Sequence, residues 1–234
     1  MLKSAKRLYR SVMANDREAL TIENFLRVSC PGERKKYCAL DVGCGYGRYL
    51  RLLKSSGFEA TGVDANQELI RANRELGLKV LHVDEWVKTD DTYDVILMSH
   101  VIEHFTPKDL ISFLDGYLDR LKVGGSLIIA TPLLTRYFYD DFDHVKPYHP
   151  RGIMMVFGTE NAQVQYYSRN KLTLEDVWIR RSPLDLPHTS GRYQTSLRAR
   201  PRQAAMFLSA IMFRLSGGFI GEASGWVGRF KKVG

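Results

Sequence analysis

The chain has 234 residues, 44% of them apolar and 26% charged, which suits one sizeable hydrophobic core and excludes a disordered or low-complexity protein. Its net charge of +8 is unevenly spread: residues 1–36 carry 9 Lys/Arg against 4 Asp/Glu, residues 37–168 carry 13 against 18, and residues 169–234 carry 12 against 4. An acidic middle between basic ends suggests a core that handles a cationic ligand, with flanks that face an anionic partner or merely water.

In chain order, residues 3–14 place Leu8 and Val12 on one face among basic residues, an amphipathic helix with no signal-peptide core. A cytoplasmic location is the expectation. Residues 37–42 form an apolar run ending at Gly43, a buried strand, and residues 48–55 a helix closed by Gly57. A second strand over 59–64, a helix over 66–75 and a third strand over 79–84 follow, then a fourth strand over 93–99. Pro107 opens a helix predicted to reach Leu121, stopped by the turn Gly124-Gly125, before a fifth strand over 126–131. Alternating strands and helices of this kind predict an α/β fold with a parallel sheet covered on both faces. The last third predicts a strand over 172–181, a helix over 203–215 and a final strand over 225–231, the two strands completing the sheet's far edge. Without repeats or linkers, one domain spans 1–234: an N-terminal helical extension (1–36), a core (37–132) and a lid with the sheet edge (133–234). Ala204 to Phe213 is the longest apolar helical stretch, too short to span a bilayer. The three cysteines match neither a disulfide framework nor a zinc spacing.

The chemistry concentrates in Leu40-Asp41-Val42-Gly43-Cys44-Gly45-Tyr46-Gly47, a strand running into a glycine turn and a helix. Such a turn lets the backbone approach a nucleotide, and Asp64, 23 residues after Asp41, is placed to take ribose hydroxyls. Dinucleotides and S-adenosylmethionine both fit this outline. The dinucleotide fingerprint needs a glycine where Arg48 stands, and Asp41 would repel a pyrophosphate while favouring an ammonium and a sulfonium. The segment from Leu40 to Pro132 resembles the class I S-adenosylmethionine-dependent methyltransferases. The resemblance rests on the glycine turn, Gly62-Val63-Asp64, Asp84, Ser99-His100-Val101-Ile102-Glu103-His104 and Leu121-Lys122-Val123-Gly124-Gly125-Ser126. It implies a Rossmann-like, doubly wound seven-stranded sheet, mostly parallel, with an antiparallel last strand inserted between the fifth and sixth. By position, Asp41, Gly43, Cys44, Gly45 and Gly47 would hold the methionine portion of S-adenosyl-L-methionine. Asp64 and Ala65 would hold the ribose, Asp84 and Glu85 would lie beside the adenine, and Ser99 and His100 would border the methionine end.

For the acceptor, the candidate bases are His104, His144 and His149. His144 lies in an aromatic and acidic loop over 137–150 suited to a lid, where Asp143-His144-Val145 resembles a pattern in relatives that methylate sugars. Asp143 is the expected orienter of His144, the first choice of base. The loop's acids and histidines leave Mg²⁺ open but not favoured, and no metal site is assigned. The reading is an enzyme that O-methylates a small-molecule or saccharide acceptor. An RNA methyltransferase and a non-catalytic S-adenosylmethionine-binding subunit are its rivals. No nucleic-acid module is visible, whereas residues 198–215, basic then apolar, leave open a peripheral membrane contact or a homo-oligomer interface.

Overall fold

The computed structural model describes residues 17–160, 162–184 and 200–233. The helix expected over 3–14 lies outside them. The architecture is one seven-stranded sheet in the order β3-β2-β1-β4-β5-β7-β6. Its strands are β1 (Cys38–Val42), β2 (Glu59–Asp64), β3 (Val80–His82), β4 (Tyr93–Ser99), β5 (Leu121–Pro132), β6 (Lys171–Ser182) and β7 (Glu222–Val233). The helices are α1 (Arg17–Ser29), α2 (Arg48–Ser55), α3 (Gln67–Glu75), α4 (Val83–Trp86), α5 (Pro107–Leu118), α6 (Pro150–Phe157) and α7 (Arg200–Leu215). Strands β1 to β5 are parallel, while β7 runs antiparallel to both β5 and β6. β7 sits between them, the insertion the resemblance implied.

Alternation along the buried strands builds two cores. Leu40, Val42, Ile96, Met98, Leu127 and Ile129 face α5, where Leu110, Leu114 and Leu118 pack, and Trp226 and Phe230 of β7 join them. Ala39, Val95, Leu97, Ile128 and Ala130 face the other way, onto Ile22, Phe25 and Leu26 of α1 and Leu53 of α2. The chain leaves β1 towards β2 and β3, then returns to place β4 on β1's other side, which opens a crevice at the carboxyl ends of β1 and β4.

Two boundaries differ from expectation. The third strand stops at His82 because the chain turns helical there: the His82 ring accepts the Asp84 N–H, and the Glu85 carboxylate accepts the His82 N–H at 2.8 Å. α5 ends at Leu118, and β5 starts at Leu121 rather than 126, since Leu121 already pairs with Tyr93. The Gly124-Gly125 pair lies inside β5, within an irregularity of the ladder, with Gly124 at φ +81°.

Candidate active site

The site grows from the glycine turn. Gly43, Gly45 and Gly47 all take positive φ (65°, 51° and 71°), which side chains with a Cβ rarely adopt. Gly43 is constrained twice, because a Cβ there would lie 2.6 Å from Val101 Cγ2. The turn is tied to β2 by the Gly43 and Cys44 amides, which donate to the Val63 carbonyl, and by the Gly45 amide, which donates to Asp64 Oδ2 at 2.8 Å. Asp64 Oδ1 accepts the Asn66 amide, also at 2.8 Å, so the carboxylate is fixed at the crevice. Asn73 of α3 donates to the Gly45 carbonyl at 2.7 Å.

Beside the turn lies a cleft of about 770 Å³, within the usual range for a small-molecule site. Of the expected binding residues, Gly43, Asp64, Ala65 and His100 line it, together with His104 and Asp143. Asp41 lies beneath, 2% exposed, with Oδ2 lacking a hydrogen-bond partner. Its burial, reinforced by the charge of Asp64, outweighs a backbone hydrogen bond at Leu50 and pushes its pKa up to about 7. Cys44 is buried, and burial with the nearby carboxylates pushes its thiol up to about 12, so its backbone is what it offers the site. Gly45 and Gly47 shape the turn, and Ser99 precedes His100 at the end of β4.

Asp84 and Glu85 are not on the cleft wall. The helical turn at Val83 rotates Asp84 into solvent, its side chain 83% exposed, while Glu85 pairs with Arg74 and caps α4. Val83 lines the cleft in their place, with Leu69.

His100 has φ +57°, the single positive-φ non-glycine among the described residues. Its ring stands between two carboxylates, with Nε2 3.3 Å from Glu18 Oε1 and Nδ1 3.3 Å from Glu103 Oε1. Burial alone would lower its pKa, but these two partners outweigh it and push the imidazole up to about 9. Glu18, on α1, also pairs with Arg180 of β6 at 2.6 Å and accepts the Tyr49 hydroxyl at 3.1 Å. Although burial would raise it, His100 and Arg180 hold Glu18 down at about 2. Neither Glu18 nor Glu103 was picked from sequence. Glu18 shares the i, i+4, i+7, i+8 face of Ile22, Phe25 and Leu26, and an acid on an apolar face was the available signal.

Glu103 also pins the loop over 137–150, the expected lid. Its carboxylate accepts the Thr131 hydroxyl at 2.9 Å, and its carbonyl accepts the Val145 and Lys146 amides. His104 Nδ1 reaches the Asp143 carbonyl at 3.0 Å. His144 does not take its orientation from Asp143: its Nδ1 donates to the Phe138 carbonyl at 2.6 Å, and Nε2 lies 3.6 Å from Asp141. A carbonyl can only accept, so Nδ1 carries the proton and Nε2 is the basic nitrogen. The lid's local turn, with the His144 amide donating to the Asp141 carbonyl, brings residue 141 rather than 143 to the ring. His144 lines a second cavity of about 230 Å³, shared with Tyr137, Arg180, Met206 and Ser224. His104 and His144 thus stand 5.1 Å apart, one facing each cavity. His149 caps α6 by accepting the Arg151 amide, away from both cavities. Glu103, His104 and His144 each offer a ligand atom within 4.8 Å of the others. Two imidazoles and one carboxylate suit a nitrogen-preferring transition metal better than Mg²⁺.

The sequence model of the family described as "Methyltransferase domain" matches residues 13–174. The ubiquinone biosynthesis O-methyltransferase of Rickettsia felis is 34% identical over 107 residues, 43% of this chain and 43% of that protein. The N-terminal Xaa-Pro-Lys N-methyltransferase 2 of Danio rerio is 33% identical over 110 residues, 42% of this chain and 40% of that protein. These matches span about two-fifths of the relatives' own length. Among solved structures, a SAM-dependent methyltransferase from Archaeoglobus fulgidus superposes with a TM-score of 0.57 at 23% identity, covering 97% of this chain and 99% of that one. Coclaurine N-methyltransferase bound to N-methylheliamine and SAH superposes with a TM-score of 0.52 at 14% identity, covering 91% and 72%. Both show likeness of fold.

Proposed function

The chain belongs to the methyltransferase-domain family, and from that premise we propose that it uses S-adenosylmethionine to methylate a hydroxyl of a small-molecule or saccharide acceptor. The observation that carries this reading is the pairing of two cavities across His104 and His144, one built on the glycine turn and one under the lid. The first fits the cofactor chemically. The Asp41 oxygen without a partner suits an ammonium, Gly43 leaves the space that a Cβ would fill, and Asp64 with Ala65 suits ribose hydroxyls. Leu69 and Val83 offer apolar walls for the adenine.

S-adenosylmethionine supplies an electrophilic methyl on a sulfonium; the chain must align an acceptor oxygen with it and remove a proton. His144 Nε2 is the base of this proposal, its tautomer set by the Phe138 carbonyl. With S-adenosylmethionine bound, His144 Nε2 would take the hydroxyl proton as the acceptor oxygen is methylated. His100, held as an imidazolium by Glu18 and Glu103, borders the cofactor cleft and fixes its wall. The test is incubation with labelled S-adenosylmethionine and a lysate fractionated into small molecules, polysaccharide, lipid and RNA. Label in an ether on a small molecule or sugar supports the reading. Label in RNA overturns the acceptor class, and failure to bind S-adenosylmethionine overturns the whole.

A further inference from the structure

The outer face of α7 presents an apolar stripe opposite its buried face. Met206, Ala210 and Phe213 are 6%, 0% and 6% exposed, whereas Leu208, Met212 and Leu215, at the same helical spacing, are 57%, 43% and 84% exposed. The stripe continues past the helix end into Phe219, 86% exposed, and Ile220. A surface stripe of this kind is rare without a partner. Next to it lies a cavity of about 360 Å³ lined by Arg17, Trp178, Arg181, Phe213 and Phe219. Arg17 reaches the Gly217 carbonyl at 2.8 Å and Arg181 reaches the carbonyls of Phe219 and Gly221, which sets both guanidiniums at the foot of the stripe. From Leu186 to Gly221 the sequence has five arginines and no acid.

We propose that this face docks on an anionic phospholipid bilayer, with Leu208, Met212, Leu215 and Phe219 entering the interface. Arg17 and Arg181, with Trp178 beside them, would receive a lipid phosphate. Charge decides for a bilayer over a second copy of the chain. Self-pairing of this face would bring Arg17 and Arg200 against their own copies, and between Asp185 and Glu222 the sequence has no acid to offset them. An anionic bilayer satisfies the stripe and the arginines together. α7 is also a wall of the second cavity, through Met206, and its Ser209 hydroxyl holds the Leu184 carbonyl at 2.7 Å beside that cavity. Resting on the methyltransferase reading, the helix that docks is therefore also a wall of the acceptor cavity.

The experiment is co-sedimentation of the full chain with vesicles of phosphatidylcholine alone or mixed with phosphatidylglycerol. Binding is expected to the mixed vesicles only. It should weaken by more than about tenfold as added salt shortens the screening length from about 10 Å to about 3 Å. The double variant Leu215→Glu/Phe219→Glu changes two exposed side chains. It should lose binding by more than about tenfold while keeping wild-type affinity for S-adenosylhomocysteine in calorimetry. The proposal is overturned if the wild type ignores phosphatidylglycerol, or if the double variant binds vesicles equally. It is also overturned if sedimentation velocity shows a wild-type dimer that the double variant dissociates. A wild type that binds vesicles but no S-adenosylhomocysteine sinks the methyltransferase reading and leaves the docking face standing.

Discussion

At the end of β1 the Asp41 carboxylate is enclosed, one oxygen has no partner, and burial raises its pKa to about 7. Because the folded pKa lies above the unfolded one, stability falls as pH rises from about 4 through about 7, and the penalty remains at higher pH. Asp41→Asn should therefore raise the melting temperature above pH 7 while weakening S-adenosylmethionine binding. Thermal scans and calorimetry on one preparation check both, and a variant less stable at pH 8 would refute the account. Gly43→Ala should instead lower the melting temperature, since its Cβ meets Val101 and its φ is positive. We expect cofactor affinity to fall by more than about tenfold, with unfolding still cooperative. His144→Ala should cut turnover by about two to four orders of magnitude and leave cofactor affinity nearly unchanged. His104→Ala is the comparison; if it abolishes turnover while His144→Ala keeps more than a third, the base is His104.

Among the elements, α1 has the largest unexpected role. Its apolar face closes one side of the sheet, and Ile22 and Leu26 are fully buried. Ile22→Ala should cost roughly 2–5 kcal/mol in denaturant unfolding. The same helix carries Glu18 to His100 and Arg180, so an N-terminal element sets the charge of a residue that borders the cofactor cleft. The pH consequence has a definite sign. His100 has a raised folded pKa, so its contribution is complete below about 6.5 and is lost as pH rises through about 9. Glu18 has a depressed one, so its contribution is complete above about 4.5 and is lost as pH falls towards about 2. Glu18→Gln should flatten the decline in melting temperature between pH 7 and pH 10 relative to the wild type. An identical slope in both proteins would show that His100 is not wired to α1.

For the whole molecule, β7 joins the far edge to the rest. It pairs antiparallel with β5 and β6 along its length, and its Trp226, fully buried, donates to the Tyr148 carbonyl of the lid at 2.7 Å. The sheet and the 137–150 loop therefore share one side chain. Trp226→Phe keeps most of the apolar contact but deletes that hydrogen bond, and should destabilise by about 1–3 kcal/mol. Turnover should fall further than stability alone requires, because the lid that presents His144 loses an anchor. Unchanged turnover at a temperature where the variant is fully folded would separate lid from sheet.

The sequence by itself determined the sheet's central strands, the glycine turn and the place of Asp64. Each of these follows from local information: apolar runs of strand length, glycines at positions that need positive φ, and a carboxylate one strand later. It also placed His144 in the loop after β5, where Asp141 rather than the expected Asp143 meets the ring because a local turn, not adjacency along the chain, chooses the neighbour. Only the tertiary structure decided the rest. Glu18 and Arg180 lie 162 positions apart and meet because α1 and β6 converge on the cleft. Asp84 leaves the cleft because the strand stops at His82, two residues before its expected end, and the chain turns helical at Val83. The place of β7 between β5 and β6 was legible only through the family resemblance, because long-range pairing is encoded in no local pattern.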